Sequence, residues 1–298
     1  MDIEQLLENY DQNLSLYYNK VDPILNSYLI NGRKRYEKLL KGLYDFYIFM
    51  SYQLDEQIIP NDDTIDTVRG LYAKSALTLY AIYTCLYNGL SSEASSLLRC
   101  LFEIYLNIKL ILIKDSDTRI RLFYNYKYIQ QWLSIQKNKE LLKEGLIDET
   151  RFKEVYPDDL IKITEDKFQK IKEDYHPKHP YHWEWKIFKN DLNNRNPNIS
   201  YIAKHLGHKV DYVKIYSTLS ISVHSSPLIE NIISEGKTKT LSPLFNEHIV
   251  HTAFISLDYS GKIVTELINK YCSSELCEEI NTYINAYFVG LSEIYNNV

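Results

Sequence analysis

The sequence predicts an all-α fold, a multi-helix bundle of roughly ten helices, on three observations. Apolar residues recur at the three- and four-residue steps of a helix nearly from end to end. Glycine and proline are scarce, 9 and 8 in 298 residues, which leaves too little turn chemistry for many short strands. No convincing run of alternating apolar and polar residues marks a strand.

Residues 2–20 read as a first amphipathic helix, and Pro23 suits the first turn of a short second one. A long third helix follows in RKRYEKLLKGLYDFYIFMSYQL, 33–54. Pro60 and the acidic run NDDTID break the chain; Asp62 or Asp63 caps a helix that runs to Asn88, and Gly89 ends it. Ser91 or Ser92 caps the next, with Glu93 favourable to its positive end, and it continues to Lys114. Another helix spans 118–137, followed by a charged, weakly apolar helical stretch over 138–175. Pro177, Pro180, Asn193, Asn194 and Pro197 make a loop-rich insert near 176–200. Helices resume at 198–206 and 209–226; beyond Pro227 and Gly236 the last two cover 242–272 and 274–296. With no repeat or low-complexity linker, 1–298 reads as a single helical domain, 1–60 forming an N-terminal helical extension and 61–298 the main bundle.

A net charge of −5 argues against a broad nucleic-acid footprint but leaves room for a local basic groove. Four cysteines without a CxxC pair do not make a disulfide framework, and Cys85 and Cys100 read as buried thiols in apolar helices. The opening MDIEQLLENYDQN is acidic and amphipathic, unlike a signal peptide. The least polar segment, Ser75 to Leu90, is shorter than a bilayer span needs. A cytoplasmic protein without membrane contact is expected. Tyrosine is abundant, 27 residues, as are Ile, Asn and Lys, whose codons are also A/T-rich. A genome of low G+C content accounts for the excess; an aromatic surface that stacks bases is the alternative.

The candidate site begins on the helix at 92–114. It is apolar on most faces, yet Ser92, Ser96, Arg99, Glu103 and Asn107 follow at steps of three and four and so form one polar stripe. The stripe suits a polar groove inside a bundle, or an exposed edge or internal ion pair. A second stripe lies on DYVKIYSTLSISVHSSP, where Ser217, Ser220 and His224 fall at i, i+3 and i+7 and Tyr212, Tyr216 and Ser220 at steps of four. His224 falls at the negative end of its helix, which favours the charged imidazole and suits a general acid or base. A hydrogen-bonded structural histidine fits the same position.

RCLFEIYLNIKLI, then HWEW, then the Tyr-rich helix ending YSTLSISVHSS resembles a family of bacterial all-helical proteins of unknown function, over about residues 65–270. That family shows an Arg-x-x-x-Glu helix, a later Trp and a Ser-x-x-x-His near a helix end. The resemblance implies a helical fold and one pocket gathering Arg99, Glu103, Trp183, Ser220 and His224. Some relatives are associated with phage-defence genes, and the resemblance assigns no reaction.

HPKHPYHWEW places His176, His179 and His182 three apart. Pro177 and Pro180 forbid an ordinary helix there and favour an extended polyproline-type path, on which neighbouring histidines stand ~9 Å apart. One ion cannot gather all three across that spacing without a sharp turn, though two could bind one with help from elsewhere. The stretch reads better as a stiff lid in which His182 and Trp183 dock over the helical pocket. His205/His208 and His248/His251 are further pairs, but neither has the HExxH form, and no metal site or cofactor is expected. GKT at 236–238 lacks the first glycine of a phosphate-binding loop, and Gly261-Lys262 fails similarly. The carboxylate–lysine set around 157–167 reads as helix rather than the strands such nucleases use. Helical ribonucleases of defence systems carry Arg-x4-6-His, and no arginine here precedes a histidine at that spacing. Basic and aromatic residues interleave over 119–143, as in a strand-binding surface or a solvated helix face.

The expected activity is metal-independent cleavage or binding of RNA or a nucleotide, in the manner of an anti-phage effector. Glu103 and His224 are the catalytic candidates, and Arg99, Ser220, Tyr216, Trp183 and His182 the ligand-binding ones. The competing class is a non-catalytic sensor or adaptor for a small anionic ligand or partner protein. A second copy of the chain or a partner protein is the expected assembly.

Overall fold

The computed structural model describes residues 3–55, 65–223, 232–235, 238–241 and 247–295. The fold is all-α. Its helices are α1 (Ile3–Arg35), α2 (Glu37–Asp55), α3 (Asp66–Tyr87), α4 (Ser91–Ile113), α5 (Ser116–Lys143), α6 (Glu149–Val155), α7 (Asp158–Ile171), α8 (Trp185–Phe188), α9 (Ile199–His205), α10 (Lys209–Val223), α11 (Glu247–Tyr271) and α12 (Ser274–Tyr295). A short antiparallel hairpin joins β1 (Ile232–Glu235) to β2 (Thr238–Leu241), with Ile232 opposite Leu241 and Glu235 opposite Thr238.

Local chemistry explains several boundaries. Gly89, with φ 70°, ends the turn after α3; the Leu90 amide donates to the Cys85 carbonyl at 2.8 Å and the Gly89 amide to that of Leu86 at 3.0 Å. The expected stop at Gly89 therefore holds. The expected break before Pro23 does not: α1 runs through it, so the first two predicted helices are one. Proline removes a single amide from the ladder, and the turns on either side carry the helix across. The interruption falls at Tyr36, where the Tyr36 amide still bonds Gly32 and the Leu40 amide bonds Tyr36. The predicted caps Asp62 and Asp63 lie outside the described residues. The hairpin was hidden because each strand has four residues, too few to show alternation.

The described chain forms two compact units. The first comprises Met1–Pro60, Leu71–Tyr105 and Val210–Val298. In it α2 buries Leu43, Phe46 and Met50 on one face against α11 and α12. Phe46 meets Tyr287 at 5.3 Å and Phe288 at 6.2 Å between ring centroids. Gly261 of α11 lets α12 approach: a β-carbon there would stand 2.9 Å from the Phe288 ring. That contact gives Gly261-Lys262 a packing reason in place of nucleotide binding. Ser95 of α4 and Thr252 of α11 share a buried hydrogen bond at 3.3 Å.

The second unit comprises Asn61–Gly70 and Leu106–Lys209. Here α5 lies along α7, with Trp132 stacked on Phe168 at 5.3 Å. Arg119 is buried and donates to the Leu110 carbonyl at the end of α4. Asp148 caps α6 by accepting from the Arg151 amide at 2.7 Å. Asp148→Ala should cost about 1 kcal/mol of stability, while Asp148→Asn should cost only a fraction of that, read as shifts in the urea midpoint.

Candidate functional site

The polar stripe of α4 is where its spacing placed it. Ser92, Ser96, Arg99, Glu103 and Asn107 are each half-buried, between the fully buried Leu98, Leu101, Phe102 and Leu106. Cys100, expected to be buried, is exposed beside the stripe. The helix opens along this line and is closed on its other faces.

In the first unit, α10 brings Tyr216 onto the stripe. Its hydroxyl donates to Glu103 Oε1, and the Arg99 guanidinium carbon lies 4.2 Å from its ring centroid. Tyr212, one turn earlier, stacks on Tyr216 at 4.6 Å, and Phe102 meets the same ring edge-on at 6.4 Å. Burial pushes the Tyr216 hydroxyl well above the usual tyrosine range, and the bond to Glu103 raises it further against the opposing pull of Arg99. The phenol is therefore a fixed donor and not a proton shuttle. A guanidinium held over an aromatic ring presents a planar N–H fork, which suits an oxyanion. Arg99 and Glu103 thus hold Tyr216 from both its face and its tip. Beyond Phe102, Tyr259 lies 5.0 Å away, and its hydroxyl is pushed up by burial and by Asp211 of α10. Sequence reading missed Phe102, Asp211 and Tyr259, because nothing in their spacing links α4 to α10 and α11.

Ser220 lies on α10 four residues beyond Tyr216, and His224 lies outside the described residues. His182 and Trp183 belong to the second unit. There Trp183 is 4% exposed, and its indole N–H donates to Asn107 Oδ1 at 3.0 Å. Phe123 meets it edge-on at 5.2 Å. Asn107, the last member of the stripe, is thus the polar anchor of this tryptophan. His182 Nδ1 lies 3.8 Å from Glu184, and partial burial holds its pKa below the usual histidine range.

The histidine run is turned where an extended path was expected. His176 Nδ1 accepts the amides of Lys178 at 3.2 Å and His179 at 3.0 Å, so its imidazole closes a local turn. The His176 and His179 rings then stack at 5.6 Å. His205 packs edge-on against Phe188 at 4.9 Å. His251 is held below the usual range by partial burial and by neighbouring His248 and Lys214, whose ammonium also repels a second cation. Among the described residues no group of three His, Cys, Asp or Glu side chains is placed to hold a metal ion. Among the same residues no helix is long and apolar enough to cross a membrane.

The fold and this cluster define an all-helical protein with a polar, aromatic-lined seam between α4 and α10. The chain belongs to a family of unknown function, DUF5677, whose match covers residues 66–239 and so includes both helices of the seam. No curated protein and no solved structure matches the chain.

Proposed function

We propose that the chain is a cytoplasmic bacterial effector of anti-phage defence that binds and cleaves a phosphate-containing substrate, RNA or a nucleotide, at the α4–α10 seam. The observation that carries this reading is the Arg99 guanidinium seated on Tyr216 while Glu103 holds the Tyr216 hydroxyl. Arg99 binds a phosphate oxygen through its N–H fork. Glu103 orients Tyr216 and serves as the base. Ser220 and His224 continue the Tyr216 line at four-residue steps, and His224 supplies the acid–base group. The defence setting rests on the family resemblance noted above.

The test uses bacteria expressing wild type, Arg99→Ala or His224→Ala at matched soluble levels. Wild type should fragment RNA and slow growth. His224→Ala should reduce cleavage by about 100-fold or more, as expected for loss of a general acid–base group, with its melting temperature nearly unchanged. Intact RNA in all three strains would remove ribonuclease action. One observation favours a second reading, a sensor or adaptor that binds a small anionic ligand without chemistry. The Tyr216 hydroxyl, pushed well above the usual tyrosine range, is bonded to Glu103, an arrangement that also suits binding and positioning alone. On that reading His224→Ala leaves ligand binding intact.

A further inference from the structure

A cavity lies in the first unit and shares no residue with the α4–α10 seam. It has a volume of about 590 Å³ and is lined by Arg33, Lys34, Glu37, Leu40, Lys41 and Tyr44 from α1 and α2, and by Tyr83 and Tyr87 from α3. Its size falls within the range of small-molecule sites, ~300–1,000 Å³. Three cations face one carboxylate, in a chain whose net charge is −5. Arg33 is fixed by the end of α3: its Nε donates to the Tyr87 carbonyl at 2.9 Å and its Nη2 to Asn88 Oδ1 at 3.0 Å. Its guanidinium also stands 4.0 Å over the Tyr87 ring. Lys41 is paired with Asp45 in an exposed i,i+4 contact, which a phosphate can displace at little cost. Tyr83 lies 5.3 Å from Tyr44 and 5.6 Å from Tyr87, so three rings line the wall in sequence. Tyr44 is 40% and Tyr87 37% exposed, so ring surface remains open to a ligand.

We infer that this groove binds a nucleotide, its base stacked on Tyr44 and flanked by Tyr83 and Tyr87, and its phosphate held by Arg33, Lys34 and Lys41. Aromatic faces accept any base, and fixed cations accept a phosphate. Glu37 suits the hydroxyls of the ribose. A simple anion leaves the three rings without a role, and a neutral aromatic leaves the cations without one. The site shares no residue with the α4–α10 seam, so it stands whether or not that seam cleaves anything. A longer strand would also need Tyr47 and Tyr80, which continue the tyrosine row at 4.8 Å from each other.

The full chain is titrated calorimetrically with AMP, adenosine and ribose 5-phosphate. AMP should bind in this groove, and each half-ligand about tenfold more weakly there. Lys34→Ala combined with Lys41→Ala should weaken AMP about tenfold and leave adenosine unchanged. Tyr44→Ala should weaken both AMP and adenosine about tenfold, the lower part of the range for one stacked base. These three side chains are exposed, so the variants keep the fold. In an Arg99→Ala background the groove variants should weaken AMP by the same factors, which separates this site from any nucleotide held at the proposed catalytic seam. The inference is overturned if AMP does not bind at millimolar concentration, or if binding follows Arg99 and ignores the groove variants. It is also overturned if an adenine hexanucleotide binds over a hundredfold more tightly than AMP and loses that advantage in Tyr80→Ala, because the row then serves a strand.

Discussion

Raising the pH above 10 should unfold the protein steeply. Tyr72, Tyr175 and Tyr259 are each no more than 3% exposed. Two of them spend their hydroxyls on buried carbonyls, Tyr72 on Met50 at 2.9 Å and Tyr175 on Leu122 at 2.7 Å. Burial pushes all three well above the usual tyrosine range, and it pushes the half-buried Tyr126 up to about 12. A raised pKa means that the folded state holds the proton more tightly than the unfolded chain. The stabilisation is complete below the unfolded tyrosine pKa, about 10, and is lost as pH rises from there towards the folded values. Each such group contributes a slope of about 1.4 kcal/mol per pH unit, so the three together approach roughly 4 kcal/mol per unit. Against a typical stability of ~5–15 kcal/mol, one or two pH units decide the outcome. Urea denaturation between pH 8 and pH 12, followed with tyrosinate absorbance, measures the slope. Tyr72→Phe should cost stability at pH 8 yet flatten the alkaline limb by about 1.4 kcal/mol per pH unit, the slope of one such group, which separates the tyrosine share from lysine titration. A stability flat from pH 8 to 12 would show that these hydroxyls are not closed off from water.

The tyrosines also mark what the sequence did and did not disclose. Their number, 27, pointed to codon composition or to a stacking surface. Composition carries no address: Tyr72, Tyr175 and Tyr259 lie in cores, Tyr216 ties α10 to α4, and Tyr44, Tyr83 and Tyr87 line an open groove. Spacing within one helix was legible, because helical geometry fixes which residues share a face. The stripe Ser92, Ser96, Arg99, Glu103 and Asn107 was readable for that reason, and so was the line Tyr212, Tyr216. Pairing between helices was not. Glu103 and Tyr216 are 113 residues apart, and no local pattern selects that partner among 27 tyrosines. The groove had a half-signal: Arg33, Glu37, Lys41 and Tyr44 recur at steps of four and three, as do Tyr83 and Tyr87 at four. Only tertiary packing shows that the two sets face each other. The hairpin had one too, since Gly236-Lys237 separates two four-residue runs by two residues, a length typical of hairpins.

Trp183→Ala should destabilise the second unit by about 3–5 kcal/mol, the range for removing a large buried aromatic side chain. A lid that opens in solution would instead lose activity with the fold intact. Two contacts motivate the stability expectation. Trp183 is 4% exposed against Phe123, and its indole N–H is spent on Asn107, the polar end of the stripe. Trp183→Phe keeps most of the packing and leaves the Asn107 amide oxygen without its donor, so about 1–2 kcal/mol should be lost. Asn107→Leu alone leaves the indole N–H unmet and should cost a similar amount. The double variant Trp183→Phe with Asn107→Leu removes both polar partners, so its loss should fall short of the sum of the single losses by ~0.5–3 kcal/mol. Urea denaturation followed by tryptophan-independent circular dichroism supplies all four corners of the cycle. A Trp183→Ala protein with wild-type stability and no activity would restore the lid. Additive single losses would mean that the hydrogen bond to Asn107 contributes nothing, and that packing against Phe123 alone holds the tryptophan in place.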